Sequence, residues 1–509
     1  MTASDDLFQL IRSLTKNEKG YFKKHSSFHS IGGHNKYLLL FDAIEKQKAY
    51  DEQAIRKKFS KEKFIRQLHV AKNYLYNLIL SSLEQYRNDV DSQLKSYLSQ
   101  AAFLFDKQLY DQCRKLVQKA RELAEKYEKY PELYMLMDFE FKLLFPRSYA
   151  GVTEEYIAGF FKQKNAVLDK LKNSDEFVRI SSLLDSKLMQ QGPPRTKKEL
   201  TIYEDVMKDA ILDTADNAIS FKAKYYYYSI FSVYAALTND AEANYLNTGK
   251  AVLLQENNPH RIAENPSHYM RILVNHSISQ LKIGKIKDVL NTIRKLKEIP
   301  ARSESLKKRI AFVAVTLELD MYAASGDFQK GAKLIEQVRQ KDLFKGINKF
   351  EMSIIYHHAT NMNFGYGNYQ RALNYLHKIL DEKNTDVRGD LYCYAKLLMI
   401  IIYFEMGKES LLESAIRSTY RYLYKRDKLY KAENYILRFI RKLPVINTSK
   451  ELIGAFKELK GKFEEFSRDP YESNALRYFD YIDWLESKIS KREFSDVVKK
   501  RSEDLDRNS

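Results

Sequence analysis

The histidines are the first residues to test for chemistry. His25, His29 and His34 fall within the stretch HSSFHSIGGH. His25 and His29 are four apart, so a helix through them would place both on one face, within reach of a common metal ion. A firm site needs a third ligand, and no cysteine or aspartate stands among them. The expectation is a loop rich in Ser and His, with no metal. His357 and His358 are adjacent and must point to different sides of a helix, one of them into a hairpin interface. His268 and His276 are eight apart, about two turns, and return to one side as interface residues. Cys113 and Cys393 are the only cysteines, too few for a disulfide framework or a CxxC pair.

Phosphate and nucleophile motifs are equally sparse. No GxGxxG opens a helix after a strand, and no GxxxxGK[ST] is present; Gly407-Lys408 lacks the upstream glycine such a loop needs. Neither HExxH nor GxSxG occurs. The residues therefore predict no catalytic set, no metal and no cofactor, and a protein that is not an enzyme.

Charge gives a second lead. The chain has 85 Lys+Arg against 67 Asp+Glu, a net charge of +18 spread along its length, which suits an anionic partner. One cluster is local: Lys57, Lys58, Lys61, Lys63 and Arg66 fall across a short helix, a turn and the start of a long helix. A helix-turn-helix beside a basic stripe is compatible with a DNA-binding regulator whose other domain senses a peptide. Against that, the second helix reads as long and apolar enough to be spent on packing, which leaves a solvated basic face on an N-terminal unit.

The elements that must position these residues are helices. Nine prolines and 17 glycines are few for 509 residues, where average usage gives roughly 25 and 36. Both interrupt helices, so their scarcity predicts an all-α chain with helix over more than about 70% of it and no sheet. The first residues lack the basic n-region of a secretory signal. The most apolar stretch, Leu391 to Phe404, is shorter than a span requires and holds Lys396, so it reads as a buried helix of a cytoplasmic protein.

Residues 1–90 read as a small helical N-terminal unit. Thr15 and Glu18 form a capping box. Helices are expected over about 35–48 and 51–59, and a long one runs from Phe64 through Leu68, Ala71, Leu75 and Ile79 to Tyr86. From 93 to 440 the pattern becomes paired helices with a recurring junction: a turn glycine, an aromatic or aliphatic residue two later, a small or apolar one three further on. The sets are Gly284/Ile286/Val289, Gly326/Phe328/Gly331 and Gly367/Tyr369/Ala372, with Gly407 repeating the turn and Gln108/Tyr110/Cys113 as a degenerate early copy. The glycines are spaced by 42, 41 and 40 residues. Such a period marks stacked helical hairpins, each an A helix, a turn and a B helix. The segment from Gln191 to Thr196 is the strongest loop signal, read as a connection between hairpins with a domain hinge as the alternative. Residues 441–509 supply three capping helices centred near 456, 478 and 495, the penultimate carrying Leu476, Phe479, Tyr481, Trp484 and Leu485, and the last largely polar.

The junction Gly367, Tyr369, Ala372, Leu376 and Ile379 resembles the second half of a tetratricopeptide repeat, and Gly326, Phe328, Gly331, Ile335 and Val338 follow the same pattern. The unit is longer than the family's 34 residues, and the family's Trp, Leu-Gly pair and closing Pro are absent. The resemblance implies a right-handed alpha-alpha superhelix and a protein- or peptide-binding scaffold, some such proteins being regulators. In that arrangement A helices over about 221–235, 268–280, 309–322 and 350–364 line the inner surface. Tyr227, Asn275, Tyr356, Asn361 and Asn363 are the residues expected there to meet a partner: tyrosine offers rigid contact area and asparagine can clamp a peptide backbone. The basic charge favours an acidic or C-terminally charged peptide.

Overall fold

The computed structural model describes residues 5–28, 36–194, 196–301, 303–340, 347–381, 389–425, 431–442, 446, 448–469 and 478–508. Helix accounts for 83% of the described residues, and there is no strand among them. That is the outcome the scarcity of glycine and proline dictates. The chain divides into two compact units, Met1–Leu168 and Asp169–Ser509.

In the first unit, α1 (Asp6–Ser13), α2 (Lys16–Phe28), α3 (Lys36–Glu45), α4 (Glu52–Lys58) and α5 (Leu68–Tyr86) enclose a core of Leu7, Ile11, Phe22, Leu40, Phe41, Leu68, Leu75 and Ile79. The capping box forms: the Thr15 amide donates to Glu18 Oε2 at 2.7 Å and the Glu18 amide to Thr15 Oγ1 at 3.2 Å. The long helix begins later than its periodicity predicts, because Lys63–Gln67 make a 3-10 turn that buries Phe64. Lys72 on α5 pins the start of α4, donating to Glu52 Oε2 at 2.8 Å and to the Tyr50 hydroxyl at 2.9 Å. That ammonium is the main reason the Glu52 carboxyl is held down at about 2.

Three helices follow: α6 (Val90–Asp106), α7 (Tyr110–Lys126) and α8 (Tyr130–Lys142). Gln108 makes the α6–α7 turn at φ 61, and Cys113 is buried beneath it, its thiol donating to the Ala101 carbonyl at 3.4 Å. The early copy of the junction is therefore real, built without glycine. Pro146 and Gly151 separate α8 from α9 (Glu154–Gln191), within which the division between the units falls.

In the second unit, Gly192 ends α9 at φ 77 and Thr196 caps α10 (Lys197–Met207). The Tyr203 hydroxyl donates to the Gly192 carbonyl at 2.6 Å, which ties this connection down. The hairpins are α11 (Phe221–Leu237) with α12 (Ala241–Glu256), then, after the short α13 (Pro259–Glu264), α14 (Pro266–Lys282) with α15 (Ile286–Lys297). Next come α16 (Glu304–Ser325) with α17 (Phe328–Gln340), α18 (Lys349–Gly365) with α19 (Tyr369–Leu380), and α20 (Gly389–Glu405) with α21 (Glu409–Tyr424). Gly284, Gly326, Gly367 and Gly407 occupy the four A-to-B turns foreseen for them, each with φ between 62 and 79. The stretch 391–403 is buried as expected, with Leu398, Ile400, Ile401 and Ile402 fully enclosed. No described helix is long and apolar enough to cross a membrane.

The C-terminal part is α22 (Lys431–Lys442), α23 (Ser449–Arg468), α24 (Tyr481–Ser490) and α25 (Phe494–Asn508). The helix expected near 478 starts only at Tyr481, after Asp480 caps it; Leu476 lies outside the described residues. Glu405 at the end of α20 gathers this tail, accepting from Lys488 Nζ at 2.6 Å and Trp484 Nε1 at 2.7 Å. The polar α25 packs on the hairpins. Val498 shares a core with Phe312, Phe328 and Ile355. A Cβ at Gly326 would stand 2.8 Å from the Ser495 carbonyl, and one at Gly284 would stand 3.3 Å from Leu505.

Candidate functional site

The five residues expected to meet a partner lie on three helices, α11, α14 and α18. Tyr227 packs against Phe231 at 4.7 Å between centroids and edge-on to Phe177 of α9. The tyrosines nearer α14 are Tyr225 and Tyr228, which join the next core. Asn275 is exposed on α14. Tyr356 turns toward α19, 6.3 Å from Tyr375.

The expectation that packing leaves Asn361 and Asn363 spare does not hold. Asn361 Nδ2 donates to the Tyr478 carbonyl at 3.2 Å and its Oδ1 accepts from the Tyr394 hydroxyl at 2.5 Å. His357 Nε2 lies 3.2 Å from the same carbonyl, and its ring meets Tyr394 and Tyr478 edge-on. An asparagine does clamp a backbone here, but the backbone is the chain's own. Asn363 is buried, donating to the Ala359 carbonyl at 2.7 Å.

An open concavity lies between the B helices α17 and α19, with Asn363 of α18 at its floor. Two adjoining hollows of about 250 and 330 Å³ share Glu336 and Arg371. The first is floored by Ala332 and Asn363 and reaches Gln329, Lys333 and Tyr366; the second reaches Arg339, Asn374, Tyr375 and Lys378. Their spacing explains the row: 333, 336, 337 and 340 recur along one side of α17, as 371, 374, 375 and 378 do along one side of α19.

Four cations and one carboxylate line this groove. Arg339 engages Glu336 at 2.9 Å, and the Tyr375 hydroxyl donates to the other Glu336 oxygen at 3.3 Å. Among the described residues, Lys333, Arg371 and Lys378 have no ion-pair partner. Lys378 lies over the rings of Tyr356 and Tyr375, at 5.2 and 5.3 Å. The cation–π contacts orient its ammonium without neutralising it. Burial pushes the Tyr375 phenol up, so it stays protonated as a donor. Tyr366 is half exposed at the mouth, its hydroxyl accepting from Gln329 at 3.1 Å. The groove thus offers unneutralised cations, amide groups and two tyrosines, the complement of a segment bearing carboxylates.

Sequence reasoning missed this groove because it looked along the A helices. Charged residues on the outer face of a B helix read as solvated, and only the approach of α17 to α19 makes them walls. The recurrence of cations at 371 and 378, one side of a single helix, was the available signal.

The basic cluster of the first unit is placed as the sequence suggests. Lys57 and Lys58 end α4, Lys61 lies in the turn, and Lys63 and Arg66 lie in the 3-10 segment; all five are exposed. The histidines singled out in the sequence pack against neighbouring side chains where they are described. His25 lies 3.1 Å from Gln85, while His29 and His34 fall outside the described residues. His268 packs on Tyr225 at 4.3 Å, and burial pushes it down to about 4. His276 stacks on Tyr245 and lies 3.0 Å from the Thr248 hydroxyl. His358 stands 3.6 Å from Asp320 on α16 and is likewise pushed down to about 4 by burial. No group of three or more His, Cys, Asp or Glu side chains suited to a metal ion occurs among the described residues. No protein family matches the chain, and no curated protein or solved structure does either.

Proposed function

We propose that the protein is a non-catalytic peptide-binding scaffold of the cytoplasm, its hairpins forming a tetratricopeptide-like right-handed superhelix. Its ligand is an acidic segment held between α17 and α19. One observation carries the reading. Lys333, Arg371 and Lys378 line a continuous groove and have no ion-pair partner among the described residues, while its single carboxylate, Glu336, is already engaged by Arg339. Arginine suits this task because its fork meets a carboxylate with two parallel hydrogen bonds. Tyr366 and Tyr375 add flat contact area at small entropic cost. The +18 net charge draws the ligand in from a distance.

The test is fluorescence anisotropy of the full-length protein with a labelled Glu-rich peptide and its Lys-rich counterpart. The acidic peptide binds and the basic one does not. R371E/K378E weakens the acidic peptide by roughly tenfold or more, because like charges then face each other across the groove. Equal affinity for the acidic peptide before and after charge reversal would overturn the assignment.

A further inference from the structure

The first unit carries a second surface that this reading does not use. The helix α5 buries a stripe, Leu68, Ala71, Leu75, Ile79 and Ser82, flanked by half-buried Tyr76, Leu78 and Leu83. Its apolar face is therefore not wide enough to occupy the whole helix, which corrects the expectation from sequence. The side opposite the stripe bears His69, Val70, Asn73, Tyr74 and Asn77, all exposed. These positions advance by three and four and make one straight row. Tyr37 of α3 stacks on Tyr74 at 4.3 Å, which fixes the aromatic at the flank of the row.

Next to this row stand the cations. Lys57, Lys61, Lys63 and Arg66 are exposed and make no ion pair among the described residues, whereas Arg56 is engaged by Glu52 at 2.8 Å. Lys58 folds over the Phe59 ring at 5.4 Å. The free charges thus cluster at the N-terminal end of α5 and on the turn leading to it. The segment below them is rigid: Lys72 ties α4 to α5 through Glu52 and Tyr50, and Phe59 and Phe64 pack 5.4 Å apart under the turn.

We propose that this surface binds duplex DNA, with the row on α5 in the major groove and Lys57, Lys61 and Lys63 on the phosphates of one flank. The choice of DNA follows from shape and chemistry. The row from His69 to Asn77 spans about 12 Å at the rise of an α-helix. The B-form major groove, about 12 Å wide, admits a helix, whereas the A-form groove of double-stranded RNA is too deep and narrow for one. Asparagine pairs with both hydrogen-bonding atoms of an adenine edge, arginine with those of guanine, and Val70 can meet a thymine methyl. Lysines contribute affinity without sequence preference, through counterion release. The partner is a different one from the acidic segment of the second unit, and the two surfaces share no residue.

The experiment measures anisotropy of the full-length protein with labelled random-sequence duplex DNA, the same sequence as duplex RNA, and a Glu-rich peptide as competitor, across a salt series. DNA binds most tightly, and its affinity falls steeply as salt rises. K57E/K61E/K63E weakens DNA at least about tenfold and flattens the salt slope. It leaves the melting temperature unchanged, since those side chains are exposed and unpaired. R371E/K378E leaves DNA binding as it was. Selection from a random duplex pool enriches a sequence with the native protein and not with N73A/N77A. No DNA binding at low salt would overturn the proposal, as would binding indifferent to K57E/K61E/K63E. RNA or polyglutamate held as tightly as DNA would overturn it too, and would identify a general polyanion surface.

Discussion

The α6–α7 hairpin of the first unit and the α16–α17 hairpin of the second make the same turn with different residues. Gln108 adopts a left-handed φ of 61 in one, and Gly326 a φ of 72 in the other. Left-handed backbone costs roughly 1–2 kcal/mol for a residue with a Cβ, so the early turn is strained and the late one is not. The late turn also needs room. The α25 backbone passes so close that a Cβ on Gly326 would lie 2.8 Å from the Ser495 carbonyl and 2.9 Å from the Lys499 amide. Gly367 and Gly407 are intermediate: left-handed, with nothing within 4 Å of a Cβ. A turn glycine in this chain therefore has two separable causes, backbone freedom at every late turn and clearance under the C-terminal helix at Gly326.

The sharpest test of that separation is Gly326→Ala. It adds the left-handed strain to a collision with backbone, about 3 kcal/mol together. Urea unfolding should show that loss, and hydrogen exchange should show α25 losing protection before the hairpins do. A loss no larger than that of Gly367→Ala would remove the clearance argument.

Asn361→Ala comes next. It strips the buried Tyr394 hydroxyl of its partner, while His357 stays beside the Tyr478 carbonyl, and leaving one such group unsatisfied costs about 2 kcal/mol. The same unfolding experiment reads it. No change in stability would return Asn361 to the role of a spare surface amide.

Gly367→Ala should cost about 1 kcal/mol, from backbone strain alone. Gln108→Gly should stabilise by about 0.5 kcal/mol, because relief of the left-handed strain slightly exceeds the entropy glycine adds to the unfolded chain. Opposite signs at equivalent turns would confirm that the two hairpins share one geometry.

Acid titration distinguishes the two units in another way. Glu52 is held down at about 2 in the folded protein, so its contribution is present above the ordinary carboxylate range and is lost as pH falls from there toward 2. His358 is held down at about 4, so the unfolded chain takes up its proton first, and its contribution is lost earlier, between pH 6.5 and 4. H358Q should lessen the slope of the second unit's stability profile across that interval, the part due to His268 remaining, without altering the first.

The turns were legible in the sequence because glycine marks left-handed backbone and the period repeats it. Even the glycine-free copy at Gln108 could be read, from Tyr110 and Cys113 at the right offsets. The return of α25 onto those turns was not legible. Its apolar residues Phe494, Val497, Val498 and Leu505 are too few to show which face is buried, and its partners lie far away in the chain. The pairing of Asn361 with Tyr478 is hidden for the same reason. The groove between α17 and α19 was missed because each wall taken alone is a solvated helix face. The basic cluster at 57–66 was read directly; what the structure adds is that the outer side of α5 is left uncovered.

The central claim is that the α17–α19 groove selects its ligand by charge, and a charge swap tests it most directly. The R371E/K378E protein is titrated with the Glu-rich peptide and with the same peptide carrying Lys in place of Glu. The preference should invert, the variant losing the acidic peptide and gaining the basic one. If the variant loses the acidic peptide without gaining the basic one, or if neither affinity changes, the groove is not where the ligand is held.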